Sequence, residues 1–257
     1  MQASSLAVRW AALSDIGLQR ARNEDAFLVV PERSYAVLSD GMGGHRGGDV
    51  AARIVIDTVR DELCRRPVGS GAEASASALR AAVLAANDAV LAAAAEDRGL
   101  TGMGATVVAA SLCADGLVFA NVGDSRLYRY REGRLEQLTH DHTMLQELVD
   151  GGMISPEQAL RTPFRGMLTR ALGVEPEVLV DVRQTDLRPG DMLLMCSDGL
   201  TDMVDDDEIA VMLAAGGDVD DRAAALVAYA NAGGGRDNIT VVLAAVADDE
   251  AVADAGG

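Results

Sequence analysis

One pattern constrains this chain more than any other: acidic residues recur at the ends of apolar, strand-like runs, beside glycine or a polar turn. Ser39-Asp40-Gly41-Met42-Gly43-Gly44 follows Tyr35-Ala36-Val37-Leu38 and precedes a helical pattern that begins near Asp49. Three glycines leave that backbone bare, so a carboxylate and a main-chain carbonyl can reach the same small, hard ligand. Ser197-Asp198-Gly199 closes a second apolar run and Arg236-Asp237-Asn238 opens a third. Asn23-Glu24-Asp25 and Gly123-Asp124-Ser125 stand beside further strand-like segments. Each is ordinary turn chemistry taken alone. Their repetition asks for a β-rich fold with carboxylates gathered at strand ends.

The 257 residues suit one β-rich domain, and an apolar content of 49% supplies a large core. No uncharged apolar run reaches the roughly 18 residues of a membrane span. The start, Met1 to Arg9, lacks the basic and apolar blocks of a secretory signal. Cys64, Cys113 and Cys196 are odd in number and widely spaced, which fits a reducing compartment and argues against disulfides and a zinc site. A cytoplasmic protein is the expectation. The net charge of −18 disfavours nucleic acid as a partner.

Along the chain, Leu6 to Ser14 and Ala26 to Val30 read as strands flanking a polar loop, Gln19 to Asp25, that carries two arginines and two acids. Its arginines suit an oxyanion and its acids a cation. Ala51, Val55, Val59 and Leu63 recur every fourth residue and predict a helix. A break over Pro67 to Gly71 separates it from an alanine-rich helix with Leu79, Val83 and Val90 on one face. Gly104 to Leu112, Leu117 to Val122 and Arg126 to Tyr130 read as a meander with turns at Asp115-Gly116 and Glu132-Gly133. An Asp124–Arg126 pair is the bland reading of the turn between the last two strands. Residues 140–173 interrupt the strands with short helices near Met144 and Ser155, and read as a flap beside the site. His140 and His142 lie in it without a third ligand and read as structural. Strands resume at Glu177 to Thr185 and Asp191 to Ser197. The acidic run up to Glu208 is expected at the N-terminal turn of a helix over Glu208 to Ala215. Asp221 to Asn231 predicts the last helix, Ile239 to Val246 the last strand, and residues 247–257 an acidic flexible tail.

If Asp40, Asp198 and Asp237 converge, divalent metal is the economical reason, because bare carboxylates crowded together repel. Oxygen donors without a histidine or cysteine cluster point to Mg²⁺ or Mn²⁺. Two ions about 4 Å apart would hold a hydroxide for attack on phosphorus. An arginine would bind the phosphate oxygens. Convergence itself does not follow from spacing.

Seven motifs, in order, resemble the metal-dependent serine/threonine protein phosphatases of type 2C (the PPM family), especially compact bacterial members. They are Arg20 to Asp25, Asp40 to His45, Gly104-Ala105-Thr106, Val122 to Arg126, Leu168 to Gly173, Ser197 to Leu200 and Arg236 to Thr240. The resemblance implies an α+β fold: a four-layer α/β/β/α sandwich with a central antiparallel β-sandwich flanked by helices, over a single domain, residues 1–246. It implies that Asp40 bridges two Mn²⁺ or Mg²⁺ ions, that the Gly41 carbonyl binds one, and that Asp198 and Asp237 complete the ligands. Asp124 with Asp198 matches the holders of a weaker third ion. Arg20 matches the phosphate-binding position, Glu24 the acid acting through water and Asp25 its support. Met42 stands where some members carry a histidine proposed as general acid. Methionine cannot donate a proton, and the role does not transfer to His45. The implied activity is hydrolysis of phosphoserine and phosphothreonine in proteins by the bridging hydroxide, with phosphoproteins and a cognate serine/threonine kinase as partners, and a monomer as the default. The alternative is a catalytically silent module that binds phosphoproteins, which would be expected to have lost metal acids.

Overall fold

The computed structural model describes residues 6–43, 47–66, 68, 71–159 and 166–248. The N-terminal half contains β1 (Leu6–Asp15), β2 (Asp25–Val30), β3 (Tyr35–Met42), α1 (Gly48–Arg65), α2 (Ala72–Glu96), β4 (Gly104–Ala105), β5 (Val107–Cys113) and β6 (Gly116–Val122). Then come β7 (Arg126–Arg131), β8 (Arg134–Gln137), α3 (Met144–Asp150), α4 (Pro156–Ala159), β9 (Asp181–Thr185) and β10 (Met192–Cys196). The chain closes with α5 (Asp198–Thr201), α6 (Asp206–Ala214), α7 (Val219–Ala232) and β11 (Ile239–Asp248).

Two antiparallel sheets result, ordered β1-β11-β10-β7-β8 and β2-β3-β5-β6-β9, with β4 paired to β3. Strand alternation explains why they stack. Side chains along a strand point to opposite faces in turn, and the central strands are apolar at both parities. In β5, Val108, Ala110 and Leu112 face the other sheet, while Val107 and Ala109 face α1 and α2. In β10, Leu193 and Met195 join the core between the sheets, while Leu194 and Cys196 join the core under α6 and α7. Three apolar cores between four layers follow, the α/β/β/α sandwich that the resemblance implies.

The predicted helix face of α1 is confirmed, since Ala51, Val55, Val59 and Leu63 are all fully buried. The predicted break before α2 falls partly outside the described residues. Helix α2, which carries Arg80 and Asp88, is not an uncharged apolar run. It is long and apolar enough to cross a bilayer, with a mean hydropathy of 1.5 over its best window. Alanine supplies that hydropathy, and Leu79, Val83 and Val90 are spent on the core against the second sheet. Asn87 Nδ2 donates to the Glu175 carbonyl at 3.0 Å, and its Oδ1 accepts the Gly173 N–H at 2.8 Å.

The meander is corrected. Strands β5 and β6 form a hairpin, but β7 leaves for the other sheet, where it pairs with β10 and β8. The turn at Gly123-Asp124 is therefore a crossing between sheets. The run from Gly104 to Leu112 also breaks at Thr106, so that β4 pairs with Gly41 and Met42 while β5 pairs further back along β3. The strand expected from Glu177 starts only at Asp181. Helix α6 starts at Asp206, with Asp205 as the cap of a reciprocal capping box. Strand β11 takes in the first two residues of the expected tail, and residues 249–257 lie outside the described ones.

Candidate active site

The strand ends that carry acids meet at one edge of the sandwich. Asp40 lies two residues before the end of β3, opposite Asp25 at the start of β2. The Asp40 N–H donates to Thr106 Oγ1 at 3.0 Å, and the Thr106 N–H donates to the Asp40 carbonyl at 2.8 Å. Thr106 sits at the break between β4 and β5, so that break fixes the carboxylate-bearing residue. Asp198 begins α5 directly after β10, and Asp237 lies two residues before β11. Gly199 is what lets these two approach, since a Cβ there would lie 2.0 Å from the Asn238 carbonyl oxygen. We predict that Gly199→Ala lowers unfolding free energy by about 1–3 kcal/mol, as overpacked sites do. Urea titration reads this, and an unchanged midpoint would contradict the close approach.

A cleft of about 690 Å³ opens over these residues, with Arg20, Glu24, Asp40, Gly41, Asp124, Asp198 and Asp237 on its walls. Seven of the eight expected site residues therefore share one cavity. Asp25, the eighth, lies behind it, where Ser197 Oγ donates to its Oδ2 at 2.7 Å. Met42 also lines the cleft and brings no proton donor to it. His45 lies outside the described residues. Arg20 donates through Nη2 to Asp237 Oδ2.

The carboxylates are held in an unfavourable state. Burial, and then Asp25, Asp198, Asp124 and Asp237, push the Asp40 carboxyl well above the usual range. Burial, followed by Asp124 and Asp237, does the same to Asp198. Burial raises Asp25 to about 6 and Asp124 to about 6, the latter with help from Asp141. Glu24 is raised by burial and by Asp49. The Oδ1 atoms of Asp198 and Asp25 are buried without a hydrogen-bond partner. A cluster of acids with raised pKa values and unpaired oxygens suits a cation, and hard divalent ions fit such an oxygen set. Among the described residues, no three acid, histidine or cysteine side chains form a closed cage.

Sequence reasoning missed three residues. Asn238 clips the Arg20 loop in place: its Nδ2 donates to the Ile16 and Arg22 carbonyls at 2.9 and 2.8 Å, and its Oδ1 accepts the Glu24 N–H at 2.8 Å. Its place directly after Asp237 was the only signal. Asp202, read as part of a helix start, lines the cleft instead. Thr106 was visible as a motif without a role. The bland Asp124–Arg126 pair does not form, because Arg126 binds Asp141 through Nε and Nη2 at 2.7–3.1 Å.

The structure thus gives a four-layer sandwich with an acid-lined cleft at its edge, and comparison gives the family. The family model described as protein phosphatase 2C matches residues 19–218. The chain belongs to that family and is a serine/threonine protein phosphatase of the 2C type. It is 39% identical over 233 residues to the serine/threonine phosphatase stp of Listeria welshimeri serovar 6b, covering 90% of this chain and 92% of the relative. The crystal structure of the Mycobacterium tuberculosis serine/threonine phosphatase PstP/Ppp superposes with a TM-score of 0.84 at 41% identity, over 93% of this chain and 99% of that one. The catalytic domain of PstP in complex with two manganese ions gives a TM-score of 0.82 at 40% identity, covering 95% and 100% of the two chains.

Proposed function

We propose that this chain hydrolyses phosphoserine and phosphothreonine in proteins modified by a serine/threonine kinase, with Mn²⁺ or Mg²⁺ held at the cleft acids. The carrying observation is the meeting of Asp40, Asp198 and Asp237, from distant parts of the chain, in one cleft with Arg20. Asp40 and the Gly41 carbonyl would hold the ions from the β3 end, and Asp198 and Asp237 from the other sheet. Asp124 with Asp198 would hold a third. When bound, such ions lower the pKa of water and polarise the phosphoryl group.

The protein's own groups do the rest. Arg20 receives and orients the phosphate oxygens, and its present partner Asp237 keeps its guanidinium over the cleft. Glu24 lines the cleft, where it would act on bound ions through water, and its backbone carbonyl accepts the Gly41 N–H at 3.1 Å, which aims the Gly41 turn. Asp25 accepts from Ser197 and so supports the start of α5, which carries Asp198. Every expected acid is present, so no observation favours a silent binding module. The cleft is built within one chain, which fits a monomer, and three unpaired cysteines fit a reducing cytoplasm.

Arg20→Ala tests the assignment. Losing charged hydrogen bonds to phosphate costs about 1.5–3 kcal/mol each, so KM for a phosphothreonine peptide is expected to rise at least tenfold in saturating Mn²⁺. An unchanged KM would remove Arg20 from the phosphate site.

A further inference from the structure

Residues 140–142, at the root of the flap, are tied one after another to the crossing that carries Asp124. The His140 carbonyl accepts from Asn121 Nδ2 at 3.1 Å, and Asp141 holds Arg126. His142 is only 3% exposed, and its backbone N–H donates to the Gly123 carbonyl at 3.0 Å. Its Nδ1 lies 3.0 Å from the Gly123 nitrogen and accepts that N–H. Ring and backbone of one residue thus grip both polar groups of Gly123. On the far side, Gly123 has φ of +105°, and a Cβ would lie 2.6 Å from Thr106 Cγ2. Thr106 is the residue whose Oγ1 accepts the Asp40 N–H.

Leu168 and Thr169 meet the same stretch from the other side. The Thr169 N–H donates to the His142 carbonyl at 2.8 Å, and Thr143 bridges to Leu168. With Nδ1 accepting, the ring proton belongs on Nε2, which faces Asp181 Oδ2 at 3.5 Å and Arg170 Nη1 at 3.3 Å. Burial and the Arg170 charge push the ring below its ordinary pKa, which keeps Nδ1 free to accept.

We propose that His142 is a positioning residue for the reaction: its Nδ1 pins Gly123, and through Gly123 it sets Asp124 directly and Asp40 by way of Thr106. A contiguous line of contacts runs from the flap root to the cleft acids. This inference rests on the reading of Asp40 and Asp124 as metal-binding acids. Supporting groups behind metal ligands commonly change affinity or activity 10–100-fold when replaced.

Two variants separate positioning from packing. Asparagine places an acceptor oxygen at the bond distance of Nδ1 from Cβ, whereas glutamine places it one methylene further. In saturating Mn²⁺, His142→Gln is expected to lose about tenfold or more in kcat, with KM little changed. His142→Asn is expected to stay well above it. Equal kcat in the two variants, whether both high or both low, would overturn the proposal. Ring nitrogen shifts in the metal-free wild type give a readout independent of activity, with the signal assigned from the His142→Asn spectrum. A protonated Nε2 and bare Nδ1 near pH 7 are expected, and a proton on Nδ1 would overturn the inference. A wild type inactive in every metal would instead contradict the proposed function.

Discussion

Asp40→Asn is expected to reduce turnover of a phosphothreonine peptide by about a thousandfold or more while making the metal-free protein more heat-stable. The first effect follows from what the carboxylate does. It lies in the cleft between the acids of both sheets, and bound ions supply several kcal/mol of charge stabilisation, at about 1.36 kcal/mol per tenfold in rate. An amide keeps the shape but removes the charge that would hold them. The second effect follows from the raised pKa of the group. Asp40 is buried among Asp25, Asp198, Asp124 and Asp237, so replacing it with a neutral side chain relieves repulsion. Activity lost through misfolding would lower the melting temperature; activity lost through the site would not. Stability given up for function is the usual trade at such sites. A variant with wild-type turnover in saturating Mn²⁺ would contradict the site assignment.

The second large effect is a dependence of stability on pH that metal reverses. Asp25 and Asp124 are each raised from 3.8 to about 6, and Asp40 and Asp198 move further in the same direction. Between about pH 4 and pH 6 the unfolded chain ionises these groups while the folded chain keeps their protons. The folded state then binds more protons, so its stability falls as pH rises and the loss is complete for Asp25 and Asp124 above about 6. Each of those two groups contributes on the order of 3 kcal/mol. About 1.4 kcal/mol of each falls between pH 5 and pH 7.5, so at about 2–4 °C per kcal/mol for a chain of this size the melting temperature in chelator should be roughly 5–10 °C lower at pH 7.5 than at pH 5. On the proposed assignment the ionised acids hold Mn²⁺, which should raise the midpoint more at pH 7.5 than at pH 5. A midpoint in chelator that climbs between those values, with no response to Mn²⁺, would contradict the crowded-acid account.

Much of this could be read in the chain because strand ends are local events. Asp40 and Asp198 each follow a continuous apolar run that is legible residue by residue, and the glycine beside each marks where backbone must come close. The helix stripe Ala51, Val55, Val59 and Leu63 is equally local. What the sequence concealed depends on which strand pairs with which. Nothing in Arg126 to Tyr130 says that β7 abandons its hairpin neighbour for β10, yet that crossing places Asp124 in the cleft. Thr106 sits inside a run of strand formers, and only its partner across β3 reveals that the strand breaks there to hold Asp40. Asp202 belongs by composition to an acidic helix start, and by position to the cleft. Asn238 looked like one polar residue in a turn and instead ties three backbone groups together. The role proposed for His142 appears only when Gly123 is found beneath it.

The most direct test is hydrolysis of a phosphothreonine peptide by the purified chain in Mn²⁺, in Mg²⁺ and in chelator, with Asp237→Asn run in parallel. Turnover that requires the metal and is lost in the variant is the expected result. Turnover that persists in chelator, or that survives intact in Asp237→Asn, would contradict the claim that the cleft acids perform this chemistry through bound cations.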